Sequence, residues 1–355
     1  MQTNEALRAG RLPLARERGM RSYHANLGAG IDGLTVRVHE MPRPGAGEVM
    51  LRVRASSLSF RELMILRGWY PLPIKADVVP VSDGAGEVVE IGEDVTRVAV
   101  GDRVAASIFP RWIDGRFAAE STAQLGGSLD GMLTEYAILK EDALVHFPDH
   151  LSFEEAACFP CAAVTAWNAL TGGRGLRSGE TVLTLGSGGV SLFALQFAKI
   201  FGAQVIATSG SDEKAERLLA LGADAVVNYR STPAWSERVL ALTGGRGADH
   251  VIDVAGALEQ SAKSIAMEGE IAFVGLLGRD AGLSPIDPSV LWTSGLTVRA
   301  IAVGSRAQFA AMNRAIEVNH LKPVIDRVFS FDEAVDAYRY YEDAAPFGKV
   351  VIAQG

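Results

Sequence analysis

Cysteine is nearly absent from this chain: two residues in 355, Cys158 and Cys161. A protein of this length with so few thiols is no disulfide scaffold, and a reducing cytoplasm is the expected compartment. The two are spaced C-x-x-C, yet no second pair and no flanking His offers further zinc ligands. A thioredoxin-like helix after the pair, which a redox motif needs, is missing as well. Basic excess is also lacking. With 34 Lys and Arg against 42 Asp and Glu, the formal charge is −8, so no surface is expected to neutralise nucleic-acid phosphates. No apolar run approaches the roughly 18–20 residues of a membrane helix, and no membrane partner is expected. The chain has no G-x-S-x-G elbow, no H-E-x-x-H and no P-loop, which removes the common hydrolase and nucleotide-triphosphatase readings.

What is present is a globular composition, 48% hydrophobic and 21% charged, with length enough for two domains. The first 19 residues, MQTNEALRAGRLPLARERG, have no apolar core and do not read as a secretory signal. They are expected to form a disordered extension. From about residue 32 to 147 the signals are short strands and turns, among them EVMLRVRAS (48–56), GEVVEIG (86–92) and VGDRV (100–104). The small, polar, glycine-rich stretch 115–131 reads as a surface or pocket-rim loop.

After residue 150 the texture changes. Ser152 with Glu155 three residues on forms a capping-box signature. Strands and helices then alternate: TVLTL (181–185), a helix over 189–201, QVIAT (204–208), a helix over 212–221 and AVVNY (225–229). HVIDVAG (250–256), EIAFVG (270–275) and LTVRAIAV (296–303) follow as strands, before a helix over 306–319 and a last strand, KVVIA (349–353). Alternation of this kind predicts βαβ units and a parallel sheet covered on both faces. TGGRG occurs at 171–175 and 243–247; the flanks differ, so these are two glycine-rich helix-to-strand loops rather than a repeat.

The stretch TVLTLGSGGVSLFALQFAKIFGAQVIAT (181–208) carries the most chemistry. A buried strand ends at Leu185, and Gly186 permits a sharp turn. Gly188 permits close approach to a pyrophosphate, whose charge would rest on the helix N-terminus. Gly186, Ser187, Gly188, Gly189 and Val190 are therefore candidate cofactor contacts. Ser191 stands where the fingerprint has Gly or Ala, and is small enough for helix–strand packing. A bare G-x-G-x-x-G is weak evidence; between a predicted strand and helix it is specific.

NAD-selective sites place an acid at the end of the second strand for the ribose 2′-hydroxyl. Here the chain has Ser209-Gly210-Ser211, with Lys214 one turn into the next helix. An acid would repel a 2′-phosphate, whereas hydroxyls and a nearby ammonium do not. NADP(H) is the expected cofactor.

With these motifs in hand, the chain resembles the medium-chain dehydrogenase/reductase superfamily, in its zinc-independent, quinone-oxidoreductase-like branch. The resemblance spans nearly all of residues 20–355. It rests on SLSFRELMILRG (57–68), VVPVSDGAGEVVEIGEDVTRVAVGDRV (78–104), the glycine turn, LGADAVVNYR (221–230), GGRGADHVIDVAG (244–256) and FGKVVI (347–352). It implies an α/β fold: a Rossmann doubly wound parallel sheet over 163–304, inserted in a GroES-like β-rich catalytic domain made of 20–162 and 305–355. It also implies that Lys214 and Tyr229 bind the 2′-phosphate and that Thr165, Val254, Ala255, Gly256, Val274, Gly275 and Leu276 line nicotinamide and ribose. Lys349 is implied to reach the cofactor. The positions that ligate catalytic zinc in metal-dependent members hold Ser59, Ser82 and Cys161, of which only the last is a good ligand, and residues 105–135 contain no Cys for a structural zinc lobe. A zinc-free enzyme is expected, and the resemblance implies a homodimer through a Rossmann edge strand, with LTVRAIAV as the candidate.

Without zinc, an acceptor's developing negative charge needs another partner. Ser59 can donate a hydrogen bond, Arg61 can bind an anion and Glu62 can hold the loop; Thr165 and Tyr70 are further candidates. Three functions remain open on the sequence. One is an NADPH-dependent reductase of quinones or α,β-unsaturated carbonyls, whose products solvent can protonate. Another is a zinc-independent alcohol dehydrogenase or ketone reductase. The third is a non-catalytic NADPH-binding protein.

Overall fold

In a computed structural model, residues 19–275 and 286–355 are described. The amino-terminal ribbon pairs Met20–Ala25 with Leu34–His39 in antiparallel register. Gly19, assigned from sequence to the extension, packs against this ribbon: with φ +76°, a side chain there would meet the His39 carbonyl oxygen at 2.7 Å.

Two larger sheets organise the rest. One has seven strands, running Ile325–Ser330, Lys349–Ala353, Glu48–Leu58, Asp83–Ile91, Arg103–Ala106 and Leu144–His146, with Tyr136–Lys140 paired to Glu48–Leu58. The long central strand alternates or clusters Val, Leu, Met and Ala, and its residues from Ala55 to Leu58 are buried among neighbours. The chain's last strand lies beside it, so both ends of the sequence build one sheet. The other sheet is parallel and six-stranded, in the order Ala225–Asn228, Gln204–Ser209, Thr181–Leu185, Ala248–Asp253, Ile265–Phe273 and Thr297–Ala300. In chain order this is 3-2-1-4-5-6, the doubly wound arrangement, with its switch point between Thr181–Leu185 and Ala248–Asp253. Ligands of such sheets bind outside the carboxyl ends of strands at that point.

The expected α/β architecture is thus present, a Rossmann sheet beside a β-rich partner. The capping box forms, Ser152 accepting from the Glu155 amide while Glu155 accepts from Ser152 N at 2.8 Å. Both TGGRG segments lie between a helix and a strand. The stretch 115–131 departs from its reading. Its middle is not rim: Gln124 and Leu125 are buried, and the Leu125 amide bonds Ile108 O at 2.9 Å. A polar glycine-rich composition hid this because Gln124 satisfies its amide internally, donating to Pro73 O at 3.3 Å and accepting from Arg61. No helix among the described residues is long and apolar enough to cross a membrane.

Candidate active site

The glycine turn lies at the switch point. Thr181–Leu185 is wholly buried and ends at Gly186, whose φ of +77° suits glycine. Gly188 caps the helix Gly189–Ile200. Side chains built at Gly186 or Gly188 would meet nothing within 4 Å, so the space over the turn is open, as close approach of a pyrophosphate requires. Ser191 explains its departure from the fingerprint by turning inward, its hydroxyl donating to Leu185 O at 2.7 Å. Val190 follows, half-buried. Ser187 uses its carbonyl to accept from Gly348 N at 3.0 Å, which ties the turn to the strand that begins at Lys349.

Across the switch point, Val254, Ala255 and Gly256 form a loop organised by Asp253. This buried carboxylate accepts from the amides of Ala255, Gly256 and Ala257 at 3.0, 2.7 and 3.2 Å, and from the Ser261 hydroxyl at 2.9 Å. Val274 N bonds Asp253 O at 2.8 Å, and a Cβ on Gly275 would fall 2.9 Å from Val254 O. The two loops implied to face nicotinamide and ribose are therefore adjacent; Leu276 lies outside the described residues. Asp253 itself was not singled out from sequence.

At the end of Gln204–Ser209, the Ser209 hydroxyl donates inside its own turn to Ser211 O at 2.8 Å, and Ser211 caps the next helix. Lys214 Nζ bonds the Ala345 carbonyl. Tyr229 lies over Gly210, where an added side chain would meet its hydroxyl at 2.5 Å and Arg230 Nε at 3.5 Å. Arg230 is exposed and its guanidinium has no hydrogen-bond or ion-pair partner among the described residues. Sequence reading passed over it although it adjoins Tyr229.

The other half of the site is built from strand ends that the seven-stranded sheet aligns. Ser57 pairs with Asp83, and Leu58 pairs with Val350. Consequently Ser59, Asp83 and Lys349 meet. Lys349 Nζ donates to Leu58 O at 2.7 Å, Ser59 Oγ at 2.8 Å and Asp83 Oδ2 at 3.1 Å. Ser57 Oγ reaches Asp83 Oδ2 at 3.2 Å. Burial works to lower the Lys349 ammonium, but the Asp83 carboxylate beside it holds it above its ordinary value. The lysine stem passes Gly189, where an added Cβ would meet its Cδ at 2.7 Å and its Cγ at 3.4 Å.

Next to this pair, Glu62 Oε1 accepts from Arg61 Nη1 at 2.8 Å, Ser82 Oγ at 3.0 Å and Ser82 N at 3.3 Å. Glu62 thus ties the helix Phe60–Leu66 to Ser82. Arg61 is also buried, bonding Gln124 Oε1 and Leu125 O at 3.3 and 3.2 Å, with its guanidinium carbon 4.9 Å from the Tyr70 ring centre. Burial opposes the Arg61 charge, and Glu62 outweighs it, raising the group above its usual value. Arg61 is thus locked in a network, not free on a surface. Thr165 is buried in the helix Val164–Thr171, after a π-type turn Phe159–Ala163 that carries Cys161. Burial pushes the thiols of Cys158 and Cys161 up to about 12, so both are neutral. Tyr341, which sequence reading missed, belongs to the same electrostatic cluster, and burial pushes its phenol up to about 12.

An open dinucleotide turn at a Rossmann switch point, facing a polar cluster in a second domain, defines a two-domain nicotinamide-dependent oxidoreductase. Residues 45–149 match the alcohol dehydrogenase GroES-like domain family, and residues 189–317 match the zinc-binding dehydrogenase family. The chain belongs to the medium-chain dehydrogenase/reductase superfamily. It is 44% identical over 335 residues to the zinc-type alcohol dehydrogenase-like protein C1773.06c of Schizosaccharomyces pombe, covering 91% of this chain and 96% of that one. It is 31% identical to the chloroplastic quinone-oxidoreductase QR1 of Triphysaria versicolor, covering 92% and 95% of the two chains. Among solved structures, an NAD-dependent alcohol dehydrogenase superposes with a TM-score of 0.84 at 34% identity, covering 94% of this chain and all of that one, 100%.

The zinc in the family description does not fit these residues. Ser59 and Ser82 offer neutral hydroxyls, Cys161 a neutral thiol, and the Lys349 ammonium stands 2.8 Å from Ser59 Oγ. No group of three or more His, Cys, Asp or Glu among the described residues is placed to hold a metal.

Proposed function

We propose that this enzyme is a zinc-independent, NADP(H)-dependent reductase that transfers a hydride to a quinone or an α,β-unsaturated carbonyl. The observation that carries the reading is the buried Lys349–Asp83 pair among Ser59, Ser82 and Cys161. A fixed cation lies where metal-dependent relatives would use their metal ligands, so the site keeps positive charge without a metal. The quinone-oxidoreductase relative favours the same acceptor class. When bound, the nicotinamide supplies the hydride. The chain holds it through Gly186, Ser187, Gly188, Gly189 and Val190 at the pyrophosphate. Thr165, Val254, Ala255, Gly256, Val274, Gly275 and Leu276 serve the nicotinamide and its ribose. Ser59, Arg61, Glu62 and Thr165 form or brace the acceptor side, Arg61 and Glu62 by bracing.

For the 2′-phosphate the support is the absent acid at Ser209, with Tyr229 and Arg230 beside Gly210 and Lys214 in the first turn of the helix that Ser211 caps. Lys214 would exchange the Ala345 carbonyl for the phosphate. A cytoplasmic homodimer is the assembly we infer. Thr297–Ala300 is the edge of the parallel sheet, Val298 on it is exposed, and Trp292 nearby is 90% exposed.

An acceptor screen run with NADPH and NADH, beside metal analysis of the purified protein, tests the reading. We expect oxidation of NADPH by a quinone or an enone, at least tenfold more efficiently than of NADH, with zinc far below one per chain. Stoichiometric zinc, or turnover of saturated ketones alone, would overturn it.

A further inference from the structure

Residues 344–348 join the last helix, Ala334–Asp343, to the last strand, Lys349–Ala353, and touch the cofactor-binding elements at three points. Lys214 Nζ donates to the Ala345 carbonyl. Further along the same helix, Asp212–Ala220, the Arg217 guanidinium carbon lies 3.8 Å from the centre of the Phe347 ring. Gly348 N donates to Ser187 O at 3.0 Å, and Phe347 N donates to Asp326 Oδ1 at 3.3 Å. The inner end of the segment is therefore pinned without Lys214. The outer end is strained. Ala345 has φ +44°, left-handed backbone that a side chain disfavours. Pro346 follows, and a residue before proline favours extended backbone instead. Many helices do end on a left-handed residue, held by amides that bond back to the last turn. Here Pro346 has no amide proton, and among the described residues the Ala345 amide makes no such bond. Ala345 is exposed, so packing around its methyl does not hold the turn either. The bond from Lys214 to its carbonyl is what remains.

We propose that the Ala345 carbonyl is an internal competitor for the 2′-phosphate, which makes Ala345 a specificity-determining residue that acts through Lys214. This rests on the reading of Lys214 as a 2′-phosphate ligand. The Lys214 ammonium is not idle: a neutral carbonyl holds it at a strained turn. Phosphate is the stronger acceptor, because the bond to it is between opposite charges, and Lys214 leaves Ala345 for it. Ala345 then relaxes toward the extended backbone that Pro346 favours, so the exchange releases strain as well as making the new bond. A cofactor with a 2′-hydroxyl offers no such charge. Lys214 stays on Ala345, and the segment stays tied at both ends. Phe347 and Gly348 keep the segment in place through either state. The preference for NADPH over NADH is thus set partly by a residue 131 positions along the chain from the lysine it occupies.

Calorimetric titration of the full chain tests this with two probes that differ only in the 2′-phosphate: adenosine 2′,5′-bisphosphate and adenosine 5′-monophosphate. Ala345→Gly removes the strain of the left-handed turn and so tightens the hold on Lys214. Ala345→Val raises the strain, because a β-branched side chain tolerates positive φ least. Relative to wild type, the bisphosphate should bind about threefold more weakly to Ala345→Gly and about threefold or more tightly to Ala345→Val. Affinity for the monophosphate should change less than about twofold in either variant. With Lys214→Ala in the background, Gly and Val at position 345 should no longer differ in affinity for the bisphosphate. Should Ala345→Val fail to fold, Ala345→Gly with and without Lys214→Ala decides. Shifts of the same sign, no shift, or shifts shared by the monophosphate would overturn the inference alone. A wild type that binds the bisphosphate no more tightly than the monophosphate overturns the 2′-phosphate reading, and the inference with it.

Discussion

The side chain of Lys349 occupies the space that a side chain on Gly189 would need: a Cβ there would lie 2.7 Å from Lys349 Cδ and 3.2 Å from Ala162 Cβ. Gly189 has the sequence context of a phosphate contact, yet in the fold its missing side chain admits the lysine. The clash is with the middle of the stem rather than its free end, so a new methyl must push the ammonium off Ser59 and Asp83. Gly189→Ala is expected to cost about 1–3 kcal/mol in stability, read as a lower urea midpoint. It should also depress reductase turnover more than the affinity for NADPH.

Its neighbours in the turn should behave differently. Gly186 has φ +77°, where a side chain strains the backbone whatever the room, and Gly188 has ordinary extended geometry with open space around it. Gly186→Ala should lower the stability of the cofactor-free protein by about 1–2 kcal/mol. Gly188→Ala should leave that stability within about 0.5 kcal/mol but weaken NADPH binding at least tenfold, because the methyl stands where the pyrophosphate approaches. Thermal unfolding and fluorescence titration of the two variants separate the effects, and equal stability losses would refute the assignment.

These glycines could be read from the chain because their chemistry is local: strand, turn and helix follow within a dozen residues. The acceptor side could not. Asp83 and Lys349 are 266 residues apart, and they meet only because the final strand pairs with Glu48–Leu58, a register no short pattern encodes. Ser59, Arg61 and Glu62 were reachable through resemblance to the family, yet Arg61 looked like a free anion binder. Its capture by Glu62 and Gln124 depends on a loop whose composition suggested a surface. Asp253 was hidden for a simpler reason, since an acid at a strand end is common and only the fold shows three amides aimed at it.

That carboxylate yields a sharp expectation. Asp253→Ala removes the acceptor of three amides and one buried hydroxyl, and each donor left unpaired costs about 1–3 kcal/mol where water cannot replace it. A loss of about 3 kcal/mol or more in denaturant unfolding is expected. Asp253→Asn, which keeps one acceptor oxygen, should lose about half as much. If alanine costs under 1 kcal/mol, the loop does not depend on this residue.

Cofactor choice should respond to the cations that flank the Ser209–Ser211 turn, Lys214 in the helix it caps and Arg230 beside Gly210. With Lys214→Ala or Arg230→Ala, KM for NADPH is expected to rise about tenfold, equivalent to about 1.4 kcal/mol, while KM for NADH changes less than twofold. The rise should shrink as salt increases, because an exposed charge–phosphate contact is screened. A variant that raises both constants equally would show that the residue serves the fold or the shared adenosine rather than the 2′-phosphate.

The two thiols make stability depend on alkaline pH. Cys158 is fully buried, and desolvation lifts it from an ordinary 9.0 to about 12. Above pH 9 the unfolded chain therefore releases this proton while the folded chain keeps it, so the unfolded state binds fewer protons and stability falls as pH rises. The contribution is fully present below pH 9 and is lost progressively toward pH 12, at up to about 1.4 kcal/mol per pH unit for one thiol. Urea midpoints at pH 8 and pH 10.5 should drop more for the wild type than for Cys158→Ala, whatever the offset between the two at pH 8. Cys158→Ala removes only one of the two raised thiols, so its slope should be shallower than that of wild type and not flat. Parallel slopes would mean that Cys158 ionises as readily in the folded protein as in the unfolded chain, and that its surroundings are wetter than the packing around Phe159 implies.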